Sequence, residues 1–146
     1  MAVIKDKATG IILYYYFPRS LKYLLVKHKK GHWSFAKGHK EKGETPVKTA
    51  IRELYEETGV KQIVFLNRKI LLTDKYVYLN RNKDKIKKTV DYFIAESKTK
   101  KVSIDKKEII NYKWCTLKSA ERILTYKKSK IIVKKAERII LKSKKK

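Results

Sequence analysis

The sequence predicts an α/β fold, a mixed β-sheet with helices outside it, formed as one domain over residues 1–146. Three observations predict it. Short runs rich in β-branched and aromatic residues alternate with turn signals along most of the chain. A well-capped helical segment interrupts them after Thr45. Two basic amphipathic segments then close the chain.

The elements follow in order. Gly10–Phe17 (Gly-Ile-Ile-Leu-Tyr-Tyr-Tyr-Phe) is rich in β-formers and predicts a strand. Pro18-Arg19-Ser20 signals a turn, and Leu21–Lys27 predicts a second strand antiparallel to the first. Trp33-Ser34-Phe35 predicts a short strand leading into a loop with Gly38 and Gly43. A helix is expected over Pro46–Thr58, then strands near Ile63–Phe65, Arg68–Leu72, Tyr76–Leu79 and Thr89–Ala95. The polar stretch Asn80–Lys88 suggests a loop, and Glu108–Trp114 a last strand. Helices are expected near Leu117–Tyr126 and Ser129–Leu141, with Ser143–Lys146 a frayed basic tail. Ile131, Ile132, Ala136, Ile139 and Ile140 recur at helical spacing and should pack on the domain.

Composition excludes several classes. At 146 residues and 42% hydrophobic content the chain can bury a core. No apolar run is long enough to span a membrane, and Met1–Asp6 lacks the charged-then-apolar pattern of a signal segment. Cys115 is the sole cysteine, so it forms no internal disulfide or zinc cluster and is expected as a small buried hydrophobe. A soluble cytoplasmic protein is expected. Nothing suggests a coiled coil or an exposed apolar stripe, so a monomer is expected too.

The net charge is +25, from 39 basic and 14 acidic residues. Affinity for polyanions such as RNA or polyphosphate is one explanation. The other is genomic: 33 of the bases are lysine, and an A/T-rich genome favours lysine, isoleucine and tyrosine codons. Either way the field attracts phosphates and is screened by salt.

The middle helix carries the chemistry. Thr45 suits the N-cap, Pro46 the first helical position and Gly59 the left-handed C′ position. Val47, Ala50, Ile51, Leu54 and Tyr55 share one arc, the core face. Glu53, Glu56 and Glu57 gather on another at i, i+3 and i+4, where they repel one another. Three clustered carboxylates in so lysine-rich a chain point to a hard cation held by oxygens: Mg²⁺, Mn²⁺ or Ca²⁺. Arg52, one turn before Glu56, can orient it.

The segment from Gly38 through Glu44, Arg52-Glu53-Leu54, Glu56-Glu57 and Gly59-Val60 resembles the signature of the Nudix hydrolases. Every specified position of that signature is matched. The resemblance implies a Nudix α/β/α sandwich with a catalytic loop–helix–loop, mixed sheet and C-terminal helices. It implies that Glu53, Glu56 and Glu57 hold divalent ions, Mg²⁺ or Mn²⁺, with the Gly38 carbonyl as a further ligand. Glu44 and Arg52 would shape the loop and orient the carboxylates, and Gly59 would end the helix. The reaction class is hydrolysis of a phosphoanhydride, in which water attacks phosphorus while a carboxylate takes its proton.

Three stretches outside this box are similar to asymmetrical diadenosine tetraphosphate (Ap4A) hydrolases. They are His32-Trp33-Ser34-Phe35-Ala36-Lys37-Gly38-His39, Lys88–Ala95 and Glu108–Trp114. Ala36 stands where that group usually has proline. This similarity implies Ap4A cleavage to ATP and AMP. It implies polyphosphate contacts from Lys37, His39 and Lys88, and adenine stacking by Tyr76 or Tyr78 with Tyr112. Glu108 would be an extra metal ligand or the base. Glu57 and Glu53 come before it as candidate bases, and the chemistry leaves the choice open. His32 opens the first stretch and is a substrate-binding candidate, although it and His28 also suit a structural role. Tyr76 and Tyr78 suit an ordinary strand face equally well, and Trp33 and Trp114 suit packing. Three alternatives share parts of the pattern: an RNA 5′-pyrophosphohydrolase, a cleanser of damaged nucleoside triphosphates, and a nucleic-acid-binding protein on an inactive Nudix scaffold.

Overall fold

Alternation of side chains along one long strand sets the architecture. In the computed structural model, which describes residues 2–144, strand β1 spans Val3–Phe17. It buries Ile11 and Leu13 on one face and Ile12 and Tyr14 on the other. A strand apolar on both faces must be covered on both. Helix α1 (Pro46–Thr58) covers the first face, where Ala50 and Leu54 meet Ile11, Leu13, Phe93 and Ala95. Helices α2 (Leu117–Ile123) and α3 (Lys127–Lys144) cover the second. There Ala120, Val133, Ala136 and Ile140 meet Ile12, Tyr14, Val90 and Ile94. The expected α/β/α sandwich follows.

The mixed sheet adds β2 (Ser20–His28), β3 (Trp33–Ser34), β4 (Ala36–His39), β5 (Ile63–Phe65), β6 (Leu72–Leu79), β7 (Lys85–Ser97) and β8 (Ile109–Cys115). β1 runs parallel to β7 from Val3 opposite Lys85 to Tyr14 opposite Glu96. Its other edge is shared. β4 pairs with Ala8–Ile11 and β2 with Tyr14–Phe17, both antiparallel. β8 and β3 extend the sheet beyond β2, while β5 and β6 pair with β7. This sharing brings β4, and with it Lys37 and Gly38, against the centre of the sheet.

Several boundaries differ from the sequence expectations. β1 starts seven residues before Gly10, because Lys5 and Lys7 lie exposed on a strand that β7 holds by its backbone. The strand expected over Arg68–Leu72 is irregular up to Leu71. Asn67 Oδ1 accepts from the Lys69 N–H (3.1 Å), an Asx turn that competes with ladder pairing. The Asn80–Lys88 loop shrinks to a tight turn before Lys85, since Asn80 Oδ1 accepts from the N–H groups of both Asn82 and Asp84 (2.9 Å each). α2 ends at Ile123 rather than Tyr126. Thr125 is instead tied to Trp33, accepting from its N–H at Oγ1 (2.8 Å) and donating its own N–H to its carbonyl (3.3 Å). Ser143 and Lys144 continue α3 rather than fray, the Ser143 hydroxyl donating to the Ile140 carbonyl (2.6 Å). Lys145 and Lys146 of the expected tail lie outside the described residues. Cys115 is buried, as expected. Among the described residues no helix is long and apolar enough to cross a membrane.

Candidate active site

α1 is fixed at both ends. Thr45 Oγ1 accepts from the Lys48 N–H (3.3 Å), and Gly59 closes the helix at φ 72° with its N–H on the Tyr55 carbonyl (2.8 Å). With Ala50 and Leu54 anchored in the core, the glutamates project toward β4 and the loop before the helix.

Arg52 organises them. Its Nε donates to Glu44 Oε2 (2.7 Å), and Nη2 donates to Glu44 Oε1 (3.1 Å) and to the His39 carbonyl (2.8 Å). Nη1 donates to Glu53 Oε1 (2.9 Å) and Glu56 Oε1 (3.0 Å). Glu44 Oε1 also accepts from the Glu41 N–H (2.8 Å) and the Thr49 hydroxyl (3.0 Å). The Arg52 hydrogen bonds, with that backbone donor, hold the Glu44 carboxyl down at about 2. The Arg52 guanidinium is pushed up by the same partner, Glu44.

Glu53 and Glu57 behave oppositely. Burial raises the Glu53 carboxyl, against the pull of Arg52. Glu57 is only 4% exposed. Burial first, and the Glu53 charge second, push it up to about 9, with the charge of Lys37 opposing. Glu57 Oε1 has no hydrogen-bond partner. A Cβ placed on Gly38 would lie 1.8 Å from Glu53 Oε2, so only glycine leaves room for this carboxylate against β4.

These features fit a divalent cation. A buried carboxylate oxygen lacks a partner, and the donor set is all hard oxygen. The arrangement is not yet a ligand shell. Among the described residues no three His, Cys, Asp or Glu side chains are placed to hold a metal ion. Arg52 explains this, since it engages Glu53 and Glu56 itself.

Glu108 is exposed just before β8 and lines a cleft of ≈ 630 Å³ with Glu53, Glu56 and Glu57. The sequence therefore brought together all four expected carboxylates. A second cleft, of ≈ 980 Å³, lies between β6, the β2–β3 turn and the start of α3. Five of the seven expected substrate residues line it: His32, Lys37, Tyr76, Tyr78 and Lys88. The rings of Tyr76 and Tyr78 stack at 6.1 Å. Lys37 joins the two regions. It lines this second cleft, burial lowers its ammonium, and the charges of Glu57 and Glu53 help to hold it.

The other two expected residues are elsewhere. His39 is 62% exposed with Nε2 2.7 Å from Asp6 Oδ1, and the opposite Asp6 oxygen pairs with Lys88 (3.0 Å). His39 therefore reaches the cleft only through Asp6 and Lys88. Tyr112 sits on β8 opposite Val26, on neither cleft, because β8 pairs beyond β2 on the far side of β1 from β6 and β7. His28 stacks on His32 at 4.2 Å and pairs with Ser34 Oγ (2.9 Å), the structural role expected of it. Trp114 packs on Tyr15 and Phe17 and donates to the Lys100 carbonyl (3.0 Å). Sequence reasoning missed Asp74, Tyr126 and Lys128 on the second cleft. The one signal for Asp74 was an acid between two expected strands of a lysine-rich chain.

A mixed sheet between helices, with an arginine-bound glutamate cluster on the loop–helix segment, defines a Nudix fold and its box. The chain matches the NUDIX domain family over residues 7–135 and belongs to it; it is a Nudix hydrolase. Its relatives include the asymmetrical bis(5′-nucleosyl)-tetraphosphatase of Mus musculus, 29% identical over 145 residues, covering 92% of this chain and 95% of that protein. The Sus scrofa protein of the same name is 30% identical over 128 residues, with 83% and 82% covered. The crystal structure of a C. elegans Ap4A hydrolase binary complex superposes with a TM-score of 0.79 at 26% identity, covering 93% of this chain and 98% of that one.

Proposed function

We propose that the chain hydrolyses a dinucleoside polyphosphate, Ap4A to ATP and AMP, with Mg²⁺ or Mn²⁺ as cofactor. The observation that carries this reading is the junction at Lys37, where a lysine- and tyrosine-lined cleft meets the buried carboxylates. The names and near full-length coverage of the relatives support the same substrate. Glu53, Glu56 and Glu57 would hold the ion, with the Gly38 carbonyl and Glu108 as further ligands. When bound, a divalent ion supplies charge neutralisation and acidifies water.

The chain's own residues do the rest. Lys37 and Lys88 bind the phosphates, and His39 steadies Lys88 through Asp6. Tyr76 or Tyr78 stacks on one base. Water attacks phosphorus, its proton passes to a carboxylate, and the anhydride P–O bond breaks toward the leaving phosphate. The acceptor is Glu57 or Glu53, with Glu108 third. Arg52 orients Glu53 and Glu56 by hydrogen bonding both from Nη1.

A groove beside the cleft, lined by Lys5, Lys7, Lys75, Lys87, Lys88 and Lys128, favours a second reading, an RNA 5′ end. Anion-exchange analysis of products decides between them. Rapid ATP plus AMP from Ap4A, with 5′-triphosphorylated RNA nearly untouched, is expected. Phosphate or pyrophosphate released mainly from RNA would overturn the first reading and adopt the second.

A further inference from the structure

The chain has 14 acidic residues against 39 basic ones. One of the fourteen, Asp74, lies in the lysine-rich cleft, and it is the one carboxylate among the described residues that line it. It is 7% exposed. Among the described residues it forms no ion pair, although Lys37 and Lys128 are near enough for their charges to act on it. Burial raises its carboxyl from the ordinary range, with those two charges and the Lys75 backbone N–H opposing.

A buried carboxylate in a phosphate-binding pocket opposes the pocket's own task, because it repels the phosphates. It also loses hydration unless something donates to it. An ionised carboxylate only accepts hydrogen bonds. The Lys75 backbone N–H supplies one donor; bridging phosphates have no proton to give at neutral pH, so a further donor from the ligand belongs to another part of it. Position says which part. Asp74, Tyr76 and Tyr78 occupy alternate positions of β6, opposite Val90, Lys88 and Ile86, so they share one face of the sheet. Same-face neighbours on a strand are about 7 Å apart, the scale of one nucleobase. A base lying on Tyr76 has Asp74 at the next position along one side of it and Lys88 directly across the strand pair.

We propose that Asp74 is a specificity residue that accepts a hydrogen bond from the exocyclic amino group of the nucleobase seated on Tyr76. The cleft then selects an amino-bearing purine over one that lacks the group. This rests on the nucleotide reading of the cleft given above.

Calorimetric binding of AMP and of purine riboside 5′-monophosphate, which differs only in lacking the amino group, tests it without requiring turnover. The unaltered chain should bind AMP at least about tenfold more tightly. Asp74→Ala should bind the two alike, with affinity for the amino-free nucleotide within about twofold of the unaltered chain. Asp74→Asn, whose amide oxygen still accepts, should restore part of the preference. A preference that survives in Asp74→Ala overturns the proposal, as does an equal loss for both nucleotides, which would make Asp74 a merely structural group. Discrimination against 2′-deoxy-AMP instead of the amino-free nucleotide overturns it in favour of a ribose contact. If Ap4A is not hydrolysed while the amino preference holds, the reaction assigned above fails and the role of Asp74 stands.

Discussion

Gly38 and Glu53 pack so closely that no side chain fits between them while the carboxylate keeps its place. The α-carbon of Gly38 faces the Glu53 carboxylate so closely that a methyl group there would sit 1.8 Å from Oε2 and 2.0 Å from Cδ. The clash falls on the far end of a flexible side chain, so the carboxylate yields before the fold does. Gly38→Ala should lower kcat for phosphoanhydride hydrolysis about a hundredfold while moving the thermal midpoint by less than ~4 °C. Parallel turnover assays and melting curves would check it. A variant that unfolds, or one that keeps full activity, contradicts the packing argument.

Glu57 makes the ion-free protein sensitive to alkali. Its carboxyl is up at about 9 in the folded state and at 4.5 ordinarily. Between those values the folded state holds a proton that the unfolded state has released, so stability falls as pH rises through the window. The slope from this group approaches ~1.4 kcal/mol per pH unit. Glu57→Gln should flatten it, and Mg²⁺ should raise the melting temperature more at pH 8.5 than at pH 5.5. Melts in EDTA and in Mg²⁺ at several pH values read both. The same variant should lose more than tenfold in activity; a smaller loss removes Glu57 from the candidate bases.

Arg52→Lys should not be conservative. A lysine cannot reproduce the fork that reaches Glu44, Glu53, Glu56 and the His39 carbonyl together. The Glu44 carboxyl, held at about 2, should return toward 4.5. Stability that Glu44 contributes above 4.5 and loses as pH falls toward 2 should shrink accordingly. Carboxylate titration by NMR gives the shift directly, and kcat should drop tenfold or more. An unmoved Glu44 titration would show that its backbone and Thr49 partners suffice.

Tyr76→Ala separates binding from chemistry. Loss of a stacking ring worth ~1–3 kcal/mol should raise KM for Ap4A about tenfold or more. kcat should stay within about threefold, because Tyr76 touches none of the box carboxylates. A fall in kcat at constant KM would instead place this ring at the reacting phosphorus.

The loop–helix segment was legible in the sequence because its signals are local. Thr45, Pro46 and Gly59 fix α1 to the residue, and the glutamate spacing follows from helix geometry alone. Local signals also misled. Apolar Ile70 and Leu71 suggested a strand, but the Asn67 side chain diverts the backbone into a turn. The polar stretch before Thr89 suggested a loop, yet its lysines suit an exposed strand face once β1 and β6 supply partners. The burial of Glu57 and the placement of Asp74 and Tyr126 on one cleft depend on contacts between distant elements. Tyr112 shows the same limit. Its neighbours along the chain match the Ap4A pattern, but strand order carries it away from Tyr76.

The clasp between Trp33 and Thr125, residues 92 apart in sequence, has a modular consequence. It holds the segment leading into α3 as one wall of the lysine- and tyrosine-lined cleft, whereas Glu53, Glu56 and Glu57 all come from α1. The walls of the two clefts thus come from different segments, with Lys37 lying where they meet. Substitution at Tyr126, Lys127 or Lys128 therefore alters that wall while leaving the carboxylate cleft, lined from α1 and residues 103–109, unchanged.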